Sequence, residues 1–208
     1  MGQDAASIGH HYRNTNVVRK FFKMSVDQKI EKLKADIFSD KWDRMKESAN
    51  RLFEIGGHEN IDYLVGLLDQ PNSGVRNAVA LTFRDNEFNE ALEPLLKSII
   101  KKENKGYTGT MVYALEKLDC RLKLKELFNI LFDNNSYEVQ NHILTILDEQ
   151  TFEFKEADLL EIKVKWEKLK DNWNELNNVD KDNLREHDID QELIQSFVDG
   201  YVSYLEQR

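Results

Sequence analysis

A repeat constrains this chain more than any other feature. Apolar residues spaced three and four apart recur as Ile30, Leu33 and Ile37, then Ile61, Leu64 and Leu68, then Leu92, Leu95 and Ile99, then Leu124, Leu127 and Leu131. Corresponding positions are displaced by 31, 31 and 32 residues. Each triplet is the inward stripe of an amphipathic helix. A second set follows the first: Met45, Ala49 and Leu52; Val75, Val79 and Thr82; Thr108, Val112 and Leu115; Val139, Ile143 and Ile146. Its displacements are 30, 33 and 31, so the drift falls in loops. Breaker-rich or polar turns separate the paired helices: Ser39-Asp40, Pro71-Asn72-Ser73-Gly74, Lys105-Gly106 and Asn134-Asn135-Ser136. Asp40, Ser73 and Ser136 are the expected N-caps, whose side-chain oxygens satisfy free amides of a first turn.

The expected fold is all-α: an α-solenoid of about four helix pairs over residues 26–150, with helical caps at both ends. Stacked pairs of this kind bury one continuous seam. Beyond Gln150 the register fades, and residues 155–177 read as one longer helix with Leu159, Ile162, Trp166, Leu169 and Trp173 on one side. A second helix over about 188–207 presents Ile189, Leu193, Phe197 and Tyr201, followed by Tyr204 or Leu205. This pair, in the segment 151–208, is expected to cap the last repeat. A sharper reading makes Trp166 or Trp173 an anchor for a partner, as aromatic hot spots often are. Residues 1–25 lie outside the repeat. Val17, Val18, Phe21 and Phe22 suit an N-terminal cap; a solvent-exposed basic arm is the alternative, as is an extension preceding a start at Met24.

The first-helix segment Leu92-Glu-Pro-Leu-Leu-Lys-Ser-Ile-Ile100 and the second-helix segment Asn72-Ser-Gly-Val-Arg-Asn-Ala-Val-Ala-Leu81 resemble HEAT repeats, with Val75-Arg76 at the pair the family often carries. The resemblance implies an α-solenoid whose second helices line a concave face. Asn72 and Ser73 stand where the family has an aspartate, and Arg76 recurs only as Lys46 and Gln140. The Trp, Gly-Tyr and Ala-Phe-Pro landmarks of the competing tetratricopeptide repeat do not recur.

Charge narrows the partners. The chain carries a net charge of −9, with +3 on residues 1–26 (Arg13, Arg19, Lys20 and Lys23 against Asp4), which leaves −12 on the remainder. Such a body repels nucleic-acid phosphates and anionic lipid and favours a basic protein. Residues 174–199 add a local acidic run: Glu175, Asp180, Asp182, Glu186, Asp188, Asp190, Glu192 and Asp199 against Lys181 and Arg185. That run is either solvated surface or a binding element. Few breakers (nine glycines, two prolines), no apolar run of the roughly 20 residues a bilayer needs, and no secretory apolar block in Met1 to Met24 make a cytoplasmic helical protein the expectation. Met1-Gly2 lacks the hydroxyl residue that myristoylation wants, since Ala6 occupies that place. Cys120, the single cysteine, rules out an internal disulfide.

Chemistry-bearing patterns are weak. His58-Glu59 resembles one ligand pair of the HEAT-type deoxyhypusine hydroxylase, but iron needs several such pairs, and the equivalent slots hold Asn89-Glu90 and Leu122-Lys123. His10, His11, His142 and His187 lack spaced partners, and His142 falls in a slot held elsewhere by Ala78 and Met111. Arg121 beside Cys120 is expected to lower the thiol's pKa, yet no histidine stands in reach as a base. Gly56-Gly57 reads as a helix stop. No catalytic residue, cofactor, metal or small-molecule substrate is therefore expected.

Binding is expected on the second helices. Three rows flank their core stripes: Glu47, Asn77, Thr110 and Asn141; Asn50, Ala80, Tyr113 and Leu144; Glu54, Arg84, Lys117 and Asp148. Tyr113 and Leu144 are the expected apolar anchors, the others a polar rim. The functional expectation is a non-catalytic, protein-binding scaffold or adaptor. Alternatives are a bacterial toxin-immunity protein masking a basic toxin, a HEAT-type metal or phycobilin-lyase enzyme, or nucleic-acid binding through the basic first 24 residues.

Overall fold

The computed structural model describes residues 25–179 and 188–205. Residues 1–24 of the expected N-terminal cap, His187, and Asp180, Asp182 and Glu186 of the acidic run lie outside them. Eleven α-helices run in chain order among the described residues: α1 (Val26–Asp36), α2 (Trp42–Ile55), α3 (His58–Leu67), α4 (Ser73–Asp85), α5 (Leu92–Ile99), α6 (Gly109–Leu115), α7 (Leu124–Asp133), α8 (Tyr137–Glu149), α9 (Glu156–Leu169), α10 (Trp173–Leu176) and α11 (Gln191–Val202). No strand occurs there. Among these residues, no helix is long and apolar enough to cross a membrane.

Local chemistry explains the boundaries. Ser25 and Gln28 form a reciprocal capping box at the start of α1. Asn72 accepts from the amides of Gly74 and Val75 to start α4, so the cap is Asn72 and not the expected Ser73. α2 starts one residue after the expected place, with Lys41 at the cap position. Ser136 does precede α8, but its side chain makes no capping bond. Gly56 and Gly57 both have positive φ, 69° and 83°, which turns α2 into α3 within two residues.

Packing follows the repeat. α1 packs on α2, α3 on α4, α5 on α6 and α7 on α8, while the second helices α2, α4, α6 and α8 pack directly one on the next. Of the 24 stripe positions singled out by spacing, all are buried except Ile30 and Ile61, which are half-buried. Polar bonds between units keep the same period. The Ser98 hydroxyl donates to the Leu68 carbonyl (2.7 Å), Lys101 pairs with Asp69 (2.5 Å) and the Asp119 amide donates to Asn89 Oδ1 (2.7 Å). Gln150 Oε1 accepts from the Cys120 amide while its Nε2 donates to the Leu118 carbonyl, both at 3.0 Å.

Arg76 has an unexpected partner set. It is 2% exposed, and its Nη1 donates to the carbonyls of Gln70 (2.6 Å) and Pro71 (2.9 Å), which stitches the α3–α4 turn to α4. Gln140, at the equivalent place of α8, donates to the Asn134 carbonyl at 2.7 Å, again six residues back. Burial lowers the Arg76 pKa. Two residue types thus do one task at one register position.

The C-terminal segment departs from expectation in one respect. The single helix expected over 155–177 is broken into α9, a 3₁₀ turn (Lys170–Asn172) and α10. The break lets the chain dock on α11: Trp173 Nε1 donates to the Ile189 carbonyl (3.0 Å) and Asn174 Oδ1 accepts from the Gln191 amide (2.8 Å). α9 packs on α7, and α11 packs on α9. Trp166 and Trp173 are buried, with ring centroids 5.4 Å apart, and both contact Phe132. The tryptophans therefore cover the last apolar face, and the reading of either as a partner anchor is overturned by their burial.

Candidate functional site

The residues expected to bind lie on α2, α4, α6 and α8, and packing sorts them into three groups. On α2, Glu47 and Glu54 are exposed and Asn50 is half-buried. Together with Asp43, Lys46 and Arg51 they line an open concavity of about 640 Å³. Arg51 holds Glu47 at 2.5 Å, whereas Glu54 has no ion-pair partner among the described residues. Asn50 Oδ1 and, on α4, Asn77 Oδ1 are buried and accept no hydrogen bond.

The middle of the face is closed by its own side chains. The Arg84 guanidinium lies over the Tyr113 ring, and that ring lies 5.0 Å from the His142 imidazole. His142 Nδ1 is 2.7 Å from Glu116 Oε1. At the other flank, Lys46 on α2 pairs with Asp85 on α4 at 3.0 Å. Arg84 and Tyr113 were expected here; His142, Glu116, Lys46 and Asp85 were not. The only sequence signal for them is a polar residue beside the core stripe in successive repeats, which also describes ordinary surface.

The far end splits. Lys117, Asn141 and Asp148 are exposed. Leu144 is 8% exposed and belongs to the core, so its expected role as an apolar anchor is wrong. Ala80, in the same row, is also buried. That row turns inward because consecutive second helices approach closely, and each covers part of the next. Asp148 borders a separate cleft of about 570 Å³ between the end of α8 and α11. A basic patch lies elsewhere: Lys101, Lys102 and Lys105 rim a smaller concavity with Ile99, Ile100 and Ile130 between α5 and α7.

The remaining chemistry-bearing residues are placed as follows. His58 is exposed at the start of α3 and pairs with Asp62 at 2.7 Å, one turn along. Among the described residues no three His, Cys, Asp or Glu side chains converge as metal ligands. Cys120 is buried, and its Sγ lies 3.6 Å from the Leu115 carbonyl. Burial, followed by the charge of Asp119, pushes its thiol up to about 12. The expected lowering by Arg121 does not occur, because Arg121 Nε turns to Asp119 at 3.3 Å. A thiol so placed is not a ready nucleophile.

No family model matches the chain, and neither a curated protein nor a solved structure matches it. What the coordinates define is an all-helical protein with packed neighbouring helices.

Proposed function

We infer that the chain is a HEAT-like α-solenoid that acts as a non-catalytic, cytoplasmic scaffold or adaptor and binds a basic protein on its second-helix face. The carrying observation is the direct packing of α2 on α4, α4 on α6 and α6 on α8, which makes a face that runs through four successive helix pairs. Close approach on that side, without comparable approach of α1, α3 and α5 to one another, supports a stack curved with the second helices inside. Glu54 on α2 and Glu138 and Asp148 on α8 are exposed carboxylates with no ion-pair partner among the described residues. Unpaired acidic groups of this kind speed encounter with a basic surface and set its salt dependence more than they add affinity.

The test is co-purification from the source cell at low and high salt, comparing the wild-type chain with Glu54→Lys and Glu138→Lys. The reading expects a basic protein retained at low salt, released by added salt, and depleted several-fold by each reversal. Retention of the same protein at equal yield by both variants would place its binding elsewhere.

A further inference from the structure

The geometry points to the cleft between α8 and α11 as a receptor for one cationic side chain, arginine or lysine, presented by a protein partner. Its walls are Phe152, Phe154, Phe197, Tyr201 and Tyr204, and its charged lining residue is Asp148. No lysine, arginine or histidine is among the described lining residues. An open cleft lined by aromatic rings and one carboxylate, with no cation among its described lining residues, suits a guanidinium or ammonium, which is drawn to ring faces and to the acid together.

The rings are held in place. Tyr201 donates its hydroxyl to the Leu147 carbonyl at 2.8 Å and meets Phe152 at 6.0 Å and Phe154 at 6.2 Å in edge-on contacts. Phe154 is fixed in turn against Tyr204 at 5.5 Å. Burial, and behind it the charges of Tyr204 and Asp148, pushes Tyr201 up to about 12, so its ring is a neutral wall that senses the Asp148 carboxylate. Tyr204 is 53% exposed at the mouth, and a Cβ built at Gly200 would meet nothing within 4 Å, so entry is open. Asp148 has no ion-pair partner among the described residues and stands beside an apolar wall.

This inference rests on the protein-binding function proposed above only for the source of the cation. The full ¹⁵N-labelled chain is titrated with an octapeptide of alternating glycine and arginine, and with the same peptide carrying citrulline in each arginine's place. Saturable shifts at Asp148, Gly200 and Tyr201 with the arginine peptide, absent with citrulline, are expected. Asp148→Asn and Tyr204→Ala, both at exposed positions, should each weaken binding by about threefold to tenfold while the helical circular dichroism is unchanged. Equal binding of the citrulline peptide, or wild-type binding by both variants, overturns the cleft. Shifts confined to Glu47 and Glu54 overturn the cleft and leave the wider face standing. Shifts confined to the cleft support it and count against the wider face, and no shifts at all overturn both.

Discussion

The Arg84 guanidinium on α4 lies 3.9 Å from the centroid of the Tyr113 ring on α6. Both side chains belong to rows expected to face a partner, yet each already occupies the other. The cation shields the ring face, and the ring shields the cation, so this middle part of the face is a clasp between successive helix pairs. The Arg84 side chain is 17% exposed, which places the contact between the exposed and desolvated limits of cation–ring attraction.

A double-mutant cycle measures the clasp. Arg84→Ala and Tyr113→Ala should each destabilise the chain, with a coupling of about 1–2 kcal/mol in urea unfolding. Additive single effects would mean that the two side chains sit together without holding the helices.

Arg76 and Gln140 make a second comparison. Arg76→Ala removes a buried donor from two loop carbonyls and leaves a void, at a cost of about 2–4 kcal/mol. Arg76→Gln restores an amide donor of the kind Gln140 already uses at the equivalent place, and should recover at least half of that loss. Equal destabilisation by the two substitutions would show that an amide side chain cannot take over here the task that Gln140 performs at the equivalent place.

The C-terminal cap should carry much of the stability. Trp166 is fully buried, stacked on Phe132 with centroids 5.7 Å apart, and donates from Nε1 to Gln195 Oε1 at 2.6 Å. Trp166→Ala should cost about 3–5 kcal/mol. Tyr204→Ala, at the exposed mouth of the cleft, should cost well under that, about 0.5 kcal/mol. Chemical denaturation of the two variants side by side checks the contrast.

Alkaline pH should unfold the chain through Cys120 and Tyr201. Each folded-state pKa is raised to about 12, from 9.0 and 10.0, so the unfolded chain gives up these protons first. The associated stability is complete below about pH 9 and falls as pH rises towards 12. Tyr201→Phe loses the bond to the Leu147 carbonyl, about 1 kcal/mol, but should flatten the decline above about pH 10. A thiol reagent near neutral pH should leave Cys120 unmodified until denaturant is added; rapid labelling of the native chain would contradict its burial.

Sequence and structure agree on the helices of residues 26–150 and part over the break after Leu169 and over the surface. Leu33, Leu64, Leu95 and Leu127 repeat at the first-helix register and all are buried, as their spacing requires. Leu144 carries the opposite lesson. Its spacing puts it beside the stripe, where a lone helix would leave it exposed, but in the packed chain α8 lies against α6 and α7 and Leu144 is buried. Trp166 and Trp173 repeat that lesson at the end of the chain, since seven residues of spacing say they share a face and nothing about what closes over it. Glu47, Glu54 and Asp148 stayed exposed, on the first and last of the second helices.

By itself the sequence determined the helices, their pairing and which side of each turns inward, because helical periodicity is local and apolar burial acts on every turn. Tertiary structure alone decided which flanking residues remain exposed. Arg84 meets Tyr113, and Glu116 meets His142, only after the intervening helix (α5 or α7) has folded back between them, and no spacing along the chain states that these polar and ring contacts will be satisfied internally.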